Sequence, residues 1–193
     1  MGISRHAPAA ALTGLLASVA ALPAAQAEVV DSGTLTDSFS FVDNKFCGVS
    51  GLKVRLEGTL QLRWTATTHG PDGYVFYVQE GARTSTLTNV RHPELFVVET
   101  VRTLERDQTI TVNRDGTLTI EVLATGSARV TDAAGNLIAA DPGQLRFELL
   151  VDDNGTPDDA SDDTVEFLGV TRPSTGRSDD FCENVVPALT PGG

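Results

Sequence analysis

The residues best equipped for chemistry are the aspartates of the run Asp152-Asp153-Asn154-Gly155-Thr156-Pro157-Asp158-Asp159-Ala160-Ser161-Asp162-Asp163. Calcium takes oxygen ligands from carboxylates and carbonyls, and a loop this rich in aspartate can supply them. Asp152, Asp153, Asp158 and Asp162 are the candidate ligands. The spacing departs from the EF-hand pattern, because with Asp152 in first place the glycine falls fourth rather than sixth. A solvated acidic loop joining two strands is the plain alternative. Calcium is the one cofactor this composition offers, and no other is expected.

Two further groups of residues were weighed for chemistry. Cys47 and Cys182 stand near opposite ends of the chain, each after a phenylalanine, Phe46 and Phe181. With no second ligand cluster beside either, they read as one structural disulfide of an oxidising compartment rather than as a metal or redox pair. His69 and His92 each sit in a turn beside glycine or proline, and no Gly-x-Ser-x-Gly elbow accompanies them. Carboxylates are numerous enough for some to lie close together by chance, so a paired-carboxylate site is not identifiable from spacing. No catalytic residue is assigned.

Elements that could position these residues come from alternation. From Leu52 to Ala66 the apolar residues and Gly58 take every even position, and Lys, Arg, Glu, Gln and Thr take the odd ones. That period of two predicts a strand with one dry face. Its length exceeds the usual strand, so Gly58 is read as the bend that lets it turn a barrel corner. The run Leu118 to Val130 repeats the pattern, with Gly126 interrupting the dry face, and Asp115-Gly116 before it marks a hairpin. Further strands are expected at 35–41, 74–79, 83–90, 95–104 with 109–112, 137–140, 144–151 and 165–170. Asp141-Pro142-Gly143 is read as a turn, and no segment shows convincing helical periodicity.

Short turns and the absence of helical crossovers imply an antiparallel sheet. The expected fold is therefore all-β, an up-and-down β-barrel of eight to ten strands closed by the disulfide, with a β-sandwich as the alternative. Trp64, Tyr77 and Phe147 are the candidate ligand-lining residues, since aromatics mix with Gly58, Ala66, Ala124, Gly126 and Ala128 on the dry faces. Such a mixture fills a tapering core or leaves room for an apolar ligand.

Residues 1–27 read as a signal peptide: Arg5 in a basic region, an apolar run from Ala9 to Leu22, and Ala25-Gln26-Ala27 as the cleavage site. Residues 28–193 then form a single secreted domain without membrane insertion. The net charge is −12, and Arg5 is the only Lys, Arg, Asp or Glu of the leader. So acidic a chain, with scattered arginines and two lysines in its mature part, argues against nucleic acid as a partner.

Phe46-Cys47-Gly48, Asp115 to Ile120, Ala124-Thr125-Gly126, Pro142-Gly143-Gln144, Gly155-Thr156-Pro157 and Ser174 to Arg177 leading to Asp179-Asp180-Phe181-Cys182 together resemble a group of secreted proteins from high-GC Gram-positive bacteria. The likeness covers nearly the whole mature chain and implies an exported domain, with no catalytic residues carried over. The overall plan resembles the small up-and-down barrels of lipocalins and of allene oxide cyclase or dirigent proteins, without a counterpart of the lipocalin helix. The leading expectation is a non-enzymatic binding domain for a small apolar ligand or a cell-envelope component. The alternatives are a barrel isomerase or cyclase using an inward Arg63, Glu121, Arg146 or Glu148, and a calcium-stabilised structural or inhibitory protein.

Overall fold

A computed structural model describes residues 27–69, 73–156 and 162–192. The expected signal segment therefore lies, but for Ala27, outside the described residues. Seven strands form one sheet: β1 (Glu28–Asp43), β2 (Val54–His69), β3 (Tyr74–Asn89), β4 (Phe96–Val112), β5 (Leu118–Asp132), β6 (Leu137–Asp152) and β7 (Thr164–Arg172). Each pairs antiparallel with its sequence neighbours, in the order β1 to β7. A 3-10 turn, Phe46–Gly48, follows β1, and one helix, α1 (Phe181–Ala188), follows β7.

The antiparallel all-β architecture is as the alternation implies, but the seven-stranded sheet is not closed into a barrel. Seven strands replace the expected eight to ten because several short runs are halves of longer strands. β3 unites the runs at 74–79 and 83–90, and β6 passes straight through Asp141-Pro142-Gly143. Proline is tolerated there because β7 stops opposite Arg146, so no seventh-strand ladder needs an N–H at Pro142. Thr175 N–H donates to the Gln144 carbonyl instead, and Asp179 N–H to that of Ala140, so the chain after β7 follows the rest of the β6 edge.

Register sorts the side chains onto two faces. On the apolar face, Phe39, Gly58, Ser85, Glu99, Val130 and Ala139 form one transverse row, and Leu35, Leu62, Gly81, Thr103, Gly126 and Gly143 form another. The latter, with three glycines, is a trough. A Cβ on Gly126 would stand 2.8 Å from the Arg102 carbonyl oxygen of the neighbouring strand, so the close approach of β4 and β5 requires glycine here.

Helix α1 covers only one end of this face. Its Val185, with Leu189 just past the helix, is fully buried against Val54, Leu87, Val97, Val130 and Ala139, with Phe46 and Leu52 completing the cluster. Asp180 caps the helix by accepting from Glu183 N–H at 2.9 Å, the aspartate-to-glutamate spacing of a capping signal. That signal contradicts the expectation of no helix; eight residues, one of them Pro187, are too few to display a period. Asn89, itself buried, donates to the Leu189 carbonyl at 2.8 Å and so satisfies a group the helix end leaves free.

Cys47 and Cys182 are disulfide-bonded, with Cα atoms 5.7 Å apart. Asp179 lies beside β6, and three residues span at most about 10 Å. A flat sheet would hold the outer side of β6 about 24 Å from the β1–β2 corner where Cys47 sits. The disulfide thus ties the β1–β2 corner to the outer side of β6 at the α1 end.

Replacing both cysteines by serine is expected to lower stability by about 3–5 kcal/mol, given the 135-residue separation the bond spans. Leu189→Ala is expected to cost about 2–5 kcal/mol. Urea denaturation checks both, and unchanged midpoints would mean that α1 docking contributes little.

Candidate functional site

Beyond α1 the apolar face is only partly covered, although Ala66, Val122 and Val151 on it are buried. Next to the glycine trough, Gly33, Trp64, Gln79, Glu105, Ala124 and Leu145 form a row; beyond it comes Asp31, Ala66 and Tyr77, with Asp107, Val122 and Phe147 continuing it across β4 to β6. The three aromatics read as ligand-lining, Trp64, Tyr77 and Phe147, thus share one face and two adjacent rows. Phe147 also packs on Phe167 of β7, ring centroids 5.7 Å apart.

A cavity of about 310 Å³ opens on this face over β4, β5 and β6. Ala124, Gly126, Ala128 and Gly143 make its floor, and Val101, Leu145, Glu105 and Asp141 stand around it. None of the three aromatics lines it directly. Trp64 shares the row of Glu105 and Leu145, while Asp107 and Phe147 stand one alternate position beyond them. The cavity exists because the floor residues are small, so backbone rather than side chain bounds it.

Trp64 is held from two sides. Its Nε1–H donates to Asp31 Oδ2 at 2.9 Å, and its six-membered ring occupies the space above Gly33 that a Cβ would fill. Asp107 sits at a bulge, where β4 gains a residue against β5 between Asp107 and Thr109. Its carboxylate accepts from Tyr77 N–H at 2.8 Å, taking the donor that follows the last β3–β4 pair, Val78 and Arg106. Burial raises the Asp107 pKa to about 6, against which the Tyr77 N–H bond works in the lowering direction. Burial also raises the Tyr77 hydroxyl pKa, helped by the charges of Asp31 and Asp107. Sequence reading missed Asp31, which precedes the expected strand at 35–41, and Asp107, which sits where the bulge shifts the alternation.

The remaining candidates lie elsewhere. Arg63, Glu121, Arg146 and Glu148 all stand on the opposite, polar face, where Arg146 pairs with Glu121. The isomerase reading based on their facing inward has no support from this geometry. In the aspartate loop, Asp152 accepts from Asn154 N–H, Asp153 from Gly155 N–H, and Asp162 from the Thr156 hydroxyl at 2.8 Å, so these carboxylates serve turn geometry. Asp158 lies outside the described residues. Among the described residues, no group of three or more His, Cys, Asp or Glu side chains gathers to hold a metal ion. His69 bonds the Thr67 hydroxyl and packs edge-on to Phe76, while His92 pairs with Glu94.

Among the described residues, no helix is long and apolar enough to cross a membrane. No family model, curated protein or solved structure matches the chain.

Asp107 makes stability depend on pH with a defined sign. Its folded pKa lies above the ordinary carboxylate value of 3.8, so between those values the folded state binds more protons than the unfolded. The stability it contributes is complete below about pH 4 and is lost as pH rises through 6. Asp107→Asn, which still accepts from Tyr77 N–H, is expected to gain about 2 kcal/mol on wild type between pH 4 and pH 7. Urea midpoints of both proteins across that range check this, and a pH-independent difference would contradict it.

Proposed function

We propose that the chain is an exported, non-enzymatic binding domain that holds a small apolar molecule on the uncovered part of its apolar sheet face. The observation that carries this reading is the cavity of about 310 Å³ floored by Ala124, Gly126, Ala128 and Gly143 and continued outward by Phe147. Small-molecule sites are concave, mostly apolar and supplied with a few polar groups, and their volumes begin at about 300 Å³. Export fits a disulfide between residues near the two ends of the described chain, which persists in oxidising compartments.

A second reading, an isomerase-type enzyme, rests on Asp107 alone. A half-buried carboxylate titrating near 6 on an apolar face is suited to general acid–base work at neutral pH. Binding remains the better reading because Asp107 is already engaged by Tyr77 N–H and supports the end of a ladder.

Native mass spectrometry of the protein recovered from the medium of its host is expected to show a bound small molecule that leaves on denaturation. With purified protein, Nile red is expected to gain fluorescence, and Ala128→Phe, which fills the cavity floor, to weaken its binding at least tenfold. No enhancement with wild type, or equal binding by the filled variant, would overturn this reading.

A further inference from the structure

Charge is distributed unequally between the two faces of the sheet. The polar face carries Arg55, Arg63, Arg102, Arg106, Arg129, Arg146 and Arg172. On the apolar face the paired strands carry one base, Arg83, and its Nη2 is bonded to Glu99 Oε2 at 2.8 Å, a carboxylate that Ser85 also contacts. Against that neutralised pair stand Asp31, Asp37, Glu105, Asp107 and Asp141 on the same face. Glu105 and Asp141 line the cavity, and Asp31 and Asp107 stand in the next row but one from its glycine floor.

Glu105 and Asp107, both half-buried on this apolar face, are costly in the free protein, because their hydration is partly removed without a counter-charge. Attraction to a cation grows under the same conditions, since the effective dielectric there is lower than that of water. Trp64 and Tyr77 add ring faces of the kind that attract an ammonium group. An anionic ligand would meet Glu105 and Asp107 without a counter-charge, and the guanidinium of Arg83 is already engaged.

Building on the binding reading above, we propose that the ligand is a cationic amphiphile, a protonated aliphatic amine. Its chain lies on the Ala124–Gly126–Ala128 floor, and its ammonium group faces Glu105 and Asp107, alternate residues of β4. Arg83 stands in the row of Ala128 and Glu99 one row nearer α1, and the pair marks the inner limit of the site.

Three probes of equal chain length test this at pH 7.5 and low ionic strength: dodecylamine, dodecanol and dodecanoate, each below its aggregation concentration. Titration calorimetry reads the affinities, and the emission of Trp64, the only tryptophan, reports whether the probe reaches this face. Dodecylamine is expected to bind at least tenfold tighter than dodecanol, with dodecanoate weakest, and the amine's advantage to shrink in 0.5 M salt. Asp107→Asn is expected to reduce the amine-to-alcohol ratio below threefold, and Glu105→Gln, tested alongside in case the first variant folds poorly, is expected to reduce it in the same direction. Equal binding of amine and alcohol, or tighter binding of dodecanoate, would overturn the cationic assignment and leave the apolar-ligand reading standing. Failure of all three probes to bind would overturn both.

Discussion

The docking of α1 across one end of the apolar face is the contact on which the rest of the structure depends. A sheet with one dry face is stable only when something covers that face, and here a single short helix is the second layer. Val185 and Leu189 reach the bottoms of β2, β3, β4, β5 and β6 together, so strands distant in sequence are gathered by one element. Eight residues could not fold as a helix alone. The Asp180 cap, the Asn89 bond to the Leu189 carbonyl and the Cys47–Cys182 bond fix its two ends and its position. Because the disulfide joins α1 to the β1–β2 corner while Asp179 stays beside β6, the same contact ties the two sides of the sheet together at that end.

Partial cover explains the character of the remainder. The rows nearest α1 are aliphatic and buried; then come Arg83 and Ser85, which both donate to the Glu99 carboxylate; then the glycine trough; then aromatics mixed with carboxylates. Polarity thus peaks midway along the face, and the rows Ile110, Ile120, Leu149 and Val112, Leu118, Val151 beyond it are aliphatic again. Asp107 is affordable because a bulge ends the local ladder and leaves a backbone N–H for its carboxylate to accept.

Much of this fold is legible in the sequence because alternation is a local signal. β2 begins two residues after the expected start, β5 covers the expected run, and Asn113 to Thr117 closes the anticipated hairpin with Gly116 at φ +94°. What was not legible depends on neighbours. Pro142 is a turn signal by itself and acceptable in a strand only because β7 ends early beside it. Barrel closure depends on whether β1 meets β7, which no local pattern encodes. The aromatic candidates were found because they lie on alternating runs, whereas Asp107 sits at the bulge where the alternation of β4 changes phase. Counting from either side of Gln108 gives opposite faces for the same residues, and only the partner strand decides between them.

An open sheet keeps two edges, and these are managed in different ways. Among the described residues no strand pairs with the outer side of β1, yet Asp31 and Asp37 stand on its apolar face, and its register slips between Val29 and Asp31. Inward charges and bulges make an edge a poor template for another strand, because a second copy would have to bury those carboxylates. β7 is short and has two irregularities against β6, with Gly169 at φ +138°. Both edges can therefore stay unpaired although Phe41, Phe167 and Val170 are exposed on them. Asp31 then has two consequences from one position: it deters strand pairing at the β1 edge, and by holding Trp64 Nε1 it fixes the indole over the open face. A barrel closed by β1–β7 pairing would place that carboxylate in an enclosed interior, where its hydration would be lost. The open sheet keeps it hydrated at the rim.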